Sequence, residues 1–187
     1  MEDRFVEENL RQRLILFGLR ELSERGVSDF SLRRVALAAQ VSCAAPYRHF
    51  KGKEELILAV VRYVRDGWFM LARQISEVFS SRGERLVELC VSGVRFWCGN
   101  GDFRSIMLLD SAEAAISEEL SLFDKPLTDA LYDLGLERGM AEEQIGELSL
   151  FLLALYRGTV MLVASGRVSA DRAVEGFRAR LKKEFSL

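Results

Sequence analysis

Apolar residues recur along this chain every three to four positions, in stretches separated by short breaks rich in Gly and Ser, a pattern that predicts helices almost throughout. The first runs from about Glu7 to Arg25 with Leu10, Leu14, Phe17 and Leu22 on one face, and Gly26 stops it. Ser31 can cap a short second helix, Leu32 to about Ala38, whose Leu32, Val35 and Ala36 face inward while Arg33 and Arg34 point out. Ala39-Gln40-Val41 then turns the chain. Ser42 is a second cap candidate, leading into a third helix from Cys43 to about Phe50; Pro46 falls in its first turn, where a missing N–H costs little. After Lys51-Gly52 a long helix, Lys53 to about Phe79, carries Leu56, Ala59, Val60, Val64 and Trp68 along a stripe. Further helices are expected near 83–98, 102–110, 116–136, 141–165 and 170–185, with breaks such as Gly99-Asn100-Gly101, Gly139 and Gly166. No segment alternates with the period of a strand, so the expected fold is all-α with about nine helices.

Composition agrees. A chain of 187 residues, 49% hydrophobic and 29% charged, forms a full core without staples, and two Pro against 14 Gly leave few breakers for a turn-rich β-sandwich. Three Cys with no C-x-x-C pair give neither a disulfide framework nor zinc spacing; Cys90 and Cys98, eight residues apart on one helix, lie too far apart to bridge. No metal or cofactor is expected. The charged N-terminus, MEDRFVEENL, lacks an apolar export core, which with the Cys usage points to the cytoplasm. The most hydropathic stretch, Leu148 to Ala164, carries Arg157 near its middle and is read as a buried helix rather than a membrane span, so no membrane partner is expected.

The charge distribution changes the picture. From Phe30 to Lys53 there are five cations, Arg33, Arg34, Arg48, Lys51 and Lys53, and no carboxylate, whereas in the rest of the chain carboxylates outnumber cations by seven. A polyanion is therefore drawn to this end of the molecule, unless the charges simply lie on solvated helix faces. Two short helices joined by a three-residue turn, the second flanked by cations, have the outline of a helix-turn-helix.

The residues sharpen that outline. Phe30-Ser31-Leu32-Arg33-Arg34-Val35-Ala36, then Val41-Ser42, then Pro46-Tyr47-Arg48-His49-Phe50-Lys51-Gly52-Lys53-Glu54-Glu55-Leu56 resembles the DNA-binding domain of the tetracycline-repressor (TetR) family over roughly residues 10–60. The resemblance implies a helix-turn-helix domain over 1–52 and a helical effector-binding and dimerisation domain over 53–187. It implies that Ser31 meets a backbone phosphate at a helix N-terminus, that Tyr47 and His49 hydrogen-bond phosphates, and that Lys53 adds a charged contact. Base reading falls to Cys43, Ala44 and Ala45 beside Ser42, and to Arg33, Arg34 and Arg48; small side chains can approach a thymine methyl, and an Arg can span guanine O6 and N7. The chain departs from relatives in having Gln40 and Ala44 where Gly is common, and Phe17-Gly18 where two alanines are usual. A left-handed Gln40 would carry some strain.

The helix near 141–165 has two apolar stripes. Ile145, Leu148, Leu152, Leu155 and Leu162 follow a 3-4 spacing, while Leu150, Leu153, Tyr156, Val160 and Val163 cover another side. Such a helix must be covered on both faces, which predicts packing against a second copy; with Val174, Phe177 and Leu181 of the last helix it would build the four-helix homodimer interface that the resemblance implies. Two-fold symmetry would place two recognition helices roughly 34 Å apart on a near-palindromic operator of double-stranded DNA. The resemblance also implies a small-molecule effector pocket among the aromatics and methionines, for which Trp68, Phe96, Trp97, Phe103, Met107 and Tyr156 are the candidates, with Arg104, Asp110 or Arg157 as polar anchor. The expected function is a ligand-responsive transcriptional regulator, a repressor released by a small apolar or aromatic effector. One His and no G-x-S-x-G, H-E-x-x-H or G-x-G-x-x-G motif argue against an enzyme. An all-α protein-interaction module and a small helical enzyme stand as the alternatives.

Overall fold

The computed structural model describes residues 2–107, 109 and 113–185, with side chains from residue 9 on. Among the described residues the chain is helical and has no strand. In chain order it forms α1 (Glu2–Arg25), α2 (Leu32–Ala38), a 3₁₀ turn (Pro46–Arg48), α3 (Lys53–Val78), α4 (Arg82–Gly99), α5 (Gly101–Met107), α6 (Ala114–Ser121), a second 3₁₀ turn (Leu122–Asp124), α7 (Lys125–Glu137), α8 (Glu142–Ala164) and α9 (Ala170–Glu184). The all-α expectation holds.

Two local expectations do not. The third helix, expected over Cys43 to Phe50, is a run of tight turns with one 3₁₀ turn at Pro46–Arg48. Pro46 has no N–H to return to the Ser42 carbonyl and its ring crowds that carbonyl, so the chain closes on shorter bonds, Ala45 N–H to Ser42 C=O (2.9 Å) and Arg48 N–H to Ala45 C=O (3.1 Å). The helix expected over 116–136 is divided into α6, the second 3₁₀ turn and α7. Pro126 is the reason, because proline fits the first turn of a new helix but not the interior of a long one.

The chain divides into two compact units. The first comprises the residues up to Asp66 together with Gly101–Ser121, and the second comprises Gly67–Asn100 with the residues from Leu122 on. The first unit thus takes in α5 and α6 beyond the expected 1–52, and α3 contributes its first fourteen positions, 53–66, to it.

In the first unit Leu14, Leu22, Val35, Ala36, Phe50, Leu56, Ile57 and Val60 form the buried core. Gly18 lets α1 approach α3 closely: a Cβ there would sit 3.2 Å from Val60 Cγ2 and 3.3 Å from Leu56 Cγ, so the departure from alanine is filled by neighbours. Arg13 closes the end of α2 by donating to the Ala39 carbonyl at 2.6 Å. Gln40 has φ +56° in the turn after α2, the left-handed conformation that glycine adopts without steric cost, so the strain expected there is present. α6 is clasped to α3 by the buried Glu119, which accepts from Arg62 Nε at 2.6 Å and from Arg65 Nη1.

In the second unit α4 is central, packed against α7, α8 and α9. Its Leu86, Val87, Leu89, Cys90, Val91 and Val94 are buried. Gly93 gives Tyr156 of α8 its place, since a Cβ would fall 2.4 Å from the Tyr156 Oη. Gly135 does the same for Ile145, whose side chain lies 2.6 Å from where a Cβ would be.

Candidate functional site

The cationic segment is built on a narrow apolar footing. Leu32, Val35, Ala36 and Ala39 bury one face of α2, and Pro46 and Phe50 bury the turn that follows, which leaves the intervening polar residues nowhere to go but outward. Ser31 caps α2 by accepting from the Arg34 N–H at 3.5 Å, and it sits half-buried at the helix start. Arg33 is exposed on α2, as are Ser42, Cys43, Ala44 and Arg48 in the following segment. Tyr47 shows 61% of its surface. His49 is half-buried with its ring tilted against Phe50 at 6.3 Å, and Arg11 lies over the other ring at 5.3 Å.

Lys53 is the first residue of α3, half-buried. The α3 start is closed by Glu55, whose carboxylate accepts from the Lys51 N–H at 2.6 Å. The first turn of α3 also carries Glu54 and Glu55, so the positive charge of Lys53 stands beside two carboxylates.

Two of the expected base readers are placed otherwise. Arg34 turns back, with Nε donating to Glu21 at 2.6 Å and the guanidinium 3.4 Å from Asp29. The hydrogen bond to Glu21, more than any other effect, raises the Arg34 pKa above its ordinary value. Ala45 is 9% exposed and belongs to the core. The residue missed was Glu21, buried at the end of α1, where it also accepts from the Ser31 N–H at 3.2 Å. Its signal in the sequence was position: seven residues after Leu14, it falls on the apolar stripe of the first helix, where a carboxylate needs a partner.

The expected effector residues separate into two groups. Trp68, Phe96 and Trp97 lie together in the second unit, Trp68 and Phe96 rings 5.6 Å apart and Phe96 and Trp97 at 5.2 Å, with Phe123 5.0 Å beyond. Trp68 Nε1 donates to the Phe123 carbonyl at 3.0 Å. Tyr156, 2% exposed, has a hydroxyl with no hydrogen-bond partner, and burial raises its pKa well above the ordinary value. Phe103 and Met107, half-buried on α5, belong to the first unit instead. Of the polar anchors, Arg157 is paired with Asp124 at 2.6 Å and Asp110 lies outside the described residues. A groove of about 250 Å³ between α3, α4 and α7, lined by Phe69, Ala72, Ser76, Leu89, Pro126 and Ala130 among others, contains none of the expected effector residues.

The expected dimer face also needs correction. Ile145, Leu152 and Phe177 are buried within the chain itself, at 3%, 1% and 4% exposure, as are Val174 and Leu181. α8 packs against α4 and α7, with Ile145 against Gly135, and α9 packs against α4 and α8, with the Phe177 ring 6.4 Å from that of Tyr156. Leu148 and Leu155 are half-buried, and Leu162 is exposed. The uncovered apolar face of α8 is Leu150, Phe151, Met161 and Leu162, with Ala154 between. Nor is α8 the buried helix expected from its hydropathy: it is long and apolar enough to cross a bilayer by length and composition, yet much of it is exposed, Leu150 to 73% and Met161 to 56%.

Residues 15–60 match the family described as bacterial regulatory proteins, tetR family. No curated protein matches the chain. Among solved structures it is similar to the fatty acid degradation regulator FadR from Bacillus halodurans, with a TM-score of 0.78 and 16% identity over 91% of this chain and 93% of that one. A TetR-family transcriptional regulator from Streptomyces coelicolor matches with a TM-score of 0.77 and 20% identity, covering 96% of this chain and 95% of the other. A TetR/AcrR-family regulator from Thermobifida fusca follows the same fold at a TM-score of 0.67 and 23% identity, over 91% and 95% of the two chains. Residues 15–60 thus match the tetR family of bacterial regulatory proteins, and the chain as a whole shares the fold of the TetR-family regulators among these solved structures.

Proposed function

We propose that the chain is a homodimeric repressor that binds a near-palindromic operator and is released by a small apolar or aromatic effector. The observation that carries the DNA-binding part is the segment from Ser42 to Lys53: Tyr47 and Arg48 stand out from a footing of buried Pro46 and Phe50, in a stretch without a single carboxylate. Ser31, Tyr47, His49 and Lys53 hold phosphates and set register; Arg33, Cys43, Ala44 and Arg48 face the bases. Two copies join through the uncovered face of α8, where Leu150 and Leu162 meet their equivalents. Dimerisation sets the spacing of the two reading heads, roughly 34 Å for successive major grooves.

The effector is taken up beside the Trp68, Phe96 and Trp97 cluster, where the unpartnered Tyr156 hydroxyl supports a ligand with a hydrogen-bond acceptor. A buried hydroxyl left without a partner costs about 1–3 kcal/mol, which an acceptor would recover. Effector binding is expected to weaken operator affinity some 5- to 150-fold, the usual range of allosteric coupling.

Selection of duplexes from a random pool, followed by a thermal-shift screen of aromatic and aliphatic compounds, tests both halves. The expected result is an enriched inverted repeat and at least one stabilising compound that lowers affinity for it. Stabilising compounds that all leave operator affinity unchanged would overturn the switch.

A further inference from the structure

Between Gln40 and Arg48 the reading surface offers no side chain that can tell one base pair from another by paired hydrogen bonds. Arg34, placed by sequence to do so, is held by Glu21 and Asp29. Ala45 and Pro46 are buried. Ser42 is exposed, but a hydroxyl serves a donor or an acceptor equally and discriminates little. Next to it stand Cys43 and Ala44, both exposed, one with a weakly polar thiol and the other with a bare methyl. No Asn, Gln, Arg or Lys occupies positions 41–47.

In the major groove a base pair that meets such a step presents one feature it can select, the C5 methyl of thymine. Arg33 before it and Arg48 after it are exposed cations, which draw a polyanion to this part of the surface.

We propose that the Cys43–Ala44 step selects thymine through its C5 methyl and that Arg34 takes no part in base choice. The inference rests on the DNA-binding function proposed above and adds the identity of the base it reads. Arg34 acts as a positioning residue, tying the start of α2 to α1 through Glu21.

The test uses the full-length protein and the duplexes enriched from a random pool. Each thymine is replaced in turn by uracil, which keeps the base pairing and removes only the methyl, and binding is followed by fluorescence anisotropy. Burying one methyl corresponds to about fourfold in affinity, so uracil at the facing position is expected to weaken binding about fourfold in one half-site and about fifteenfold in both. Ala44→Gly should reduce the difference between thymine and uracil to less than twofold there, and Arg34→Gln should enrich the same sequence as the unaltered protein. Uracil tolerated within twofold at every position, an Ala44→Gly variant that keeps the full difference, or a changed preference in Arg34→Gln would overturn this inference while leaving DNA binding intact. If no duplex is enriched at all, the proposed function itself falls and the base assignment with it.

Discussion

The segment from Ser31 to Lys53 and helix α8 distribute their polar and apolar residues in opposite ways. In the first, Leu32, Val35, Ala36, Ala39, Ala45, Pro46 and Phe50 bury one side, while the other carries Arg33, Arg48 and Lys51 with Leu37, Cys43, Ala44 and Tyr47 exposed among them, so the charged side can be read as surface. In α8 both faces are apolar, and the pattern alone does not separate the face that meets α4 and α7 from the face left uncovered. The contrast shows where pattern reading is informative. It works when the two sides of an element face different solvents, and it fails when both face hydrocarbon, one within the chain and one proposed to lie on a second copy.

Substitutions on the two faces of α8 should therefore behave differently. Leu150→Glu combined with Leu162→Glu places charge on the uncovered face, and is expected to weaken dimerisation by at least 100-fold while leaving helical content unchanged; light scattering at micromolar concentration would then show a monomer. A dimer that survives this pair would move the interface elsewhere. Ile145→Ala, on the covered face beside Gly135, should leave the dimer in place but cost about 3 kcal/mol of unfolding free energy in a denaturant titration. If Ile145→Ala instead dissociated the dimer with no loss of stability, the two faces would have been exchanged.

At the reading segment the effects are smaller and take the form of affinity. Tyr47→Phe with Lys53→Ala should weaken binding about tenfold to every duplex alike, because phosphate contacts carry no sequence information; a change of preferred sequence would place one of these residues at a base. Gln40→Gly relieves a left-handed backbone and should stabilise the protein by about 1 kcal/mol without altering affinity. Loss of stability on that change would mean that the Gln40 side chain does more than tolerate the turn.

Much of the fold was legible. Helix ends were set by local chemistry, with Ser31, Ser81 and Ser169 as caps and Gly26, Gly139 and Gly166 in the left-handed region, so the expected boundaries of α2, α4 and α9 fall within a residue or so of those found. The failures came where one residue acted on backbone it does not neighbour. Pro46 removed the third helix through the Ser42 carbonyl, and Glu21 paired the still partly exposed Arg34 across thirteen positions of chain. The string from Tyr47 to Lys53 was legible because its residues are adjacent. The effector residues were less so, since aromatic side chains in a core and around a ligand satisfy the same periodicity, and only the missing partner of the Tyr156 hydroxyl distinguishes that residue from plain core.

The central claim is that the cationic segment lies on the phosphates of a duplex. Fluorescence anisotropy of the full chain with a mixed-sequence duplex, repeated across a salt series, tests it most directly. Binding should weaken steeply, log affinity falling linearly with log salt, and the slope should lessen by about one for each phosphate contact removed, as in Lys53→Ala. Affinity that is independent of salt, or no binding in dilute buffer, would contradict the account.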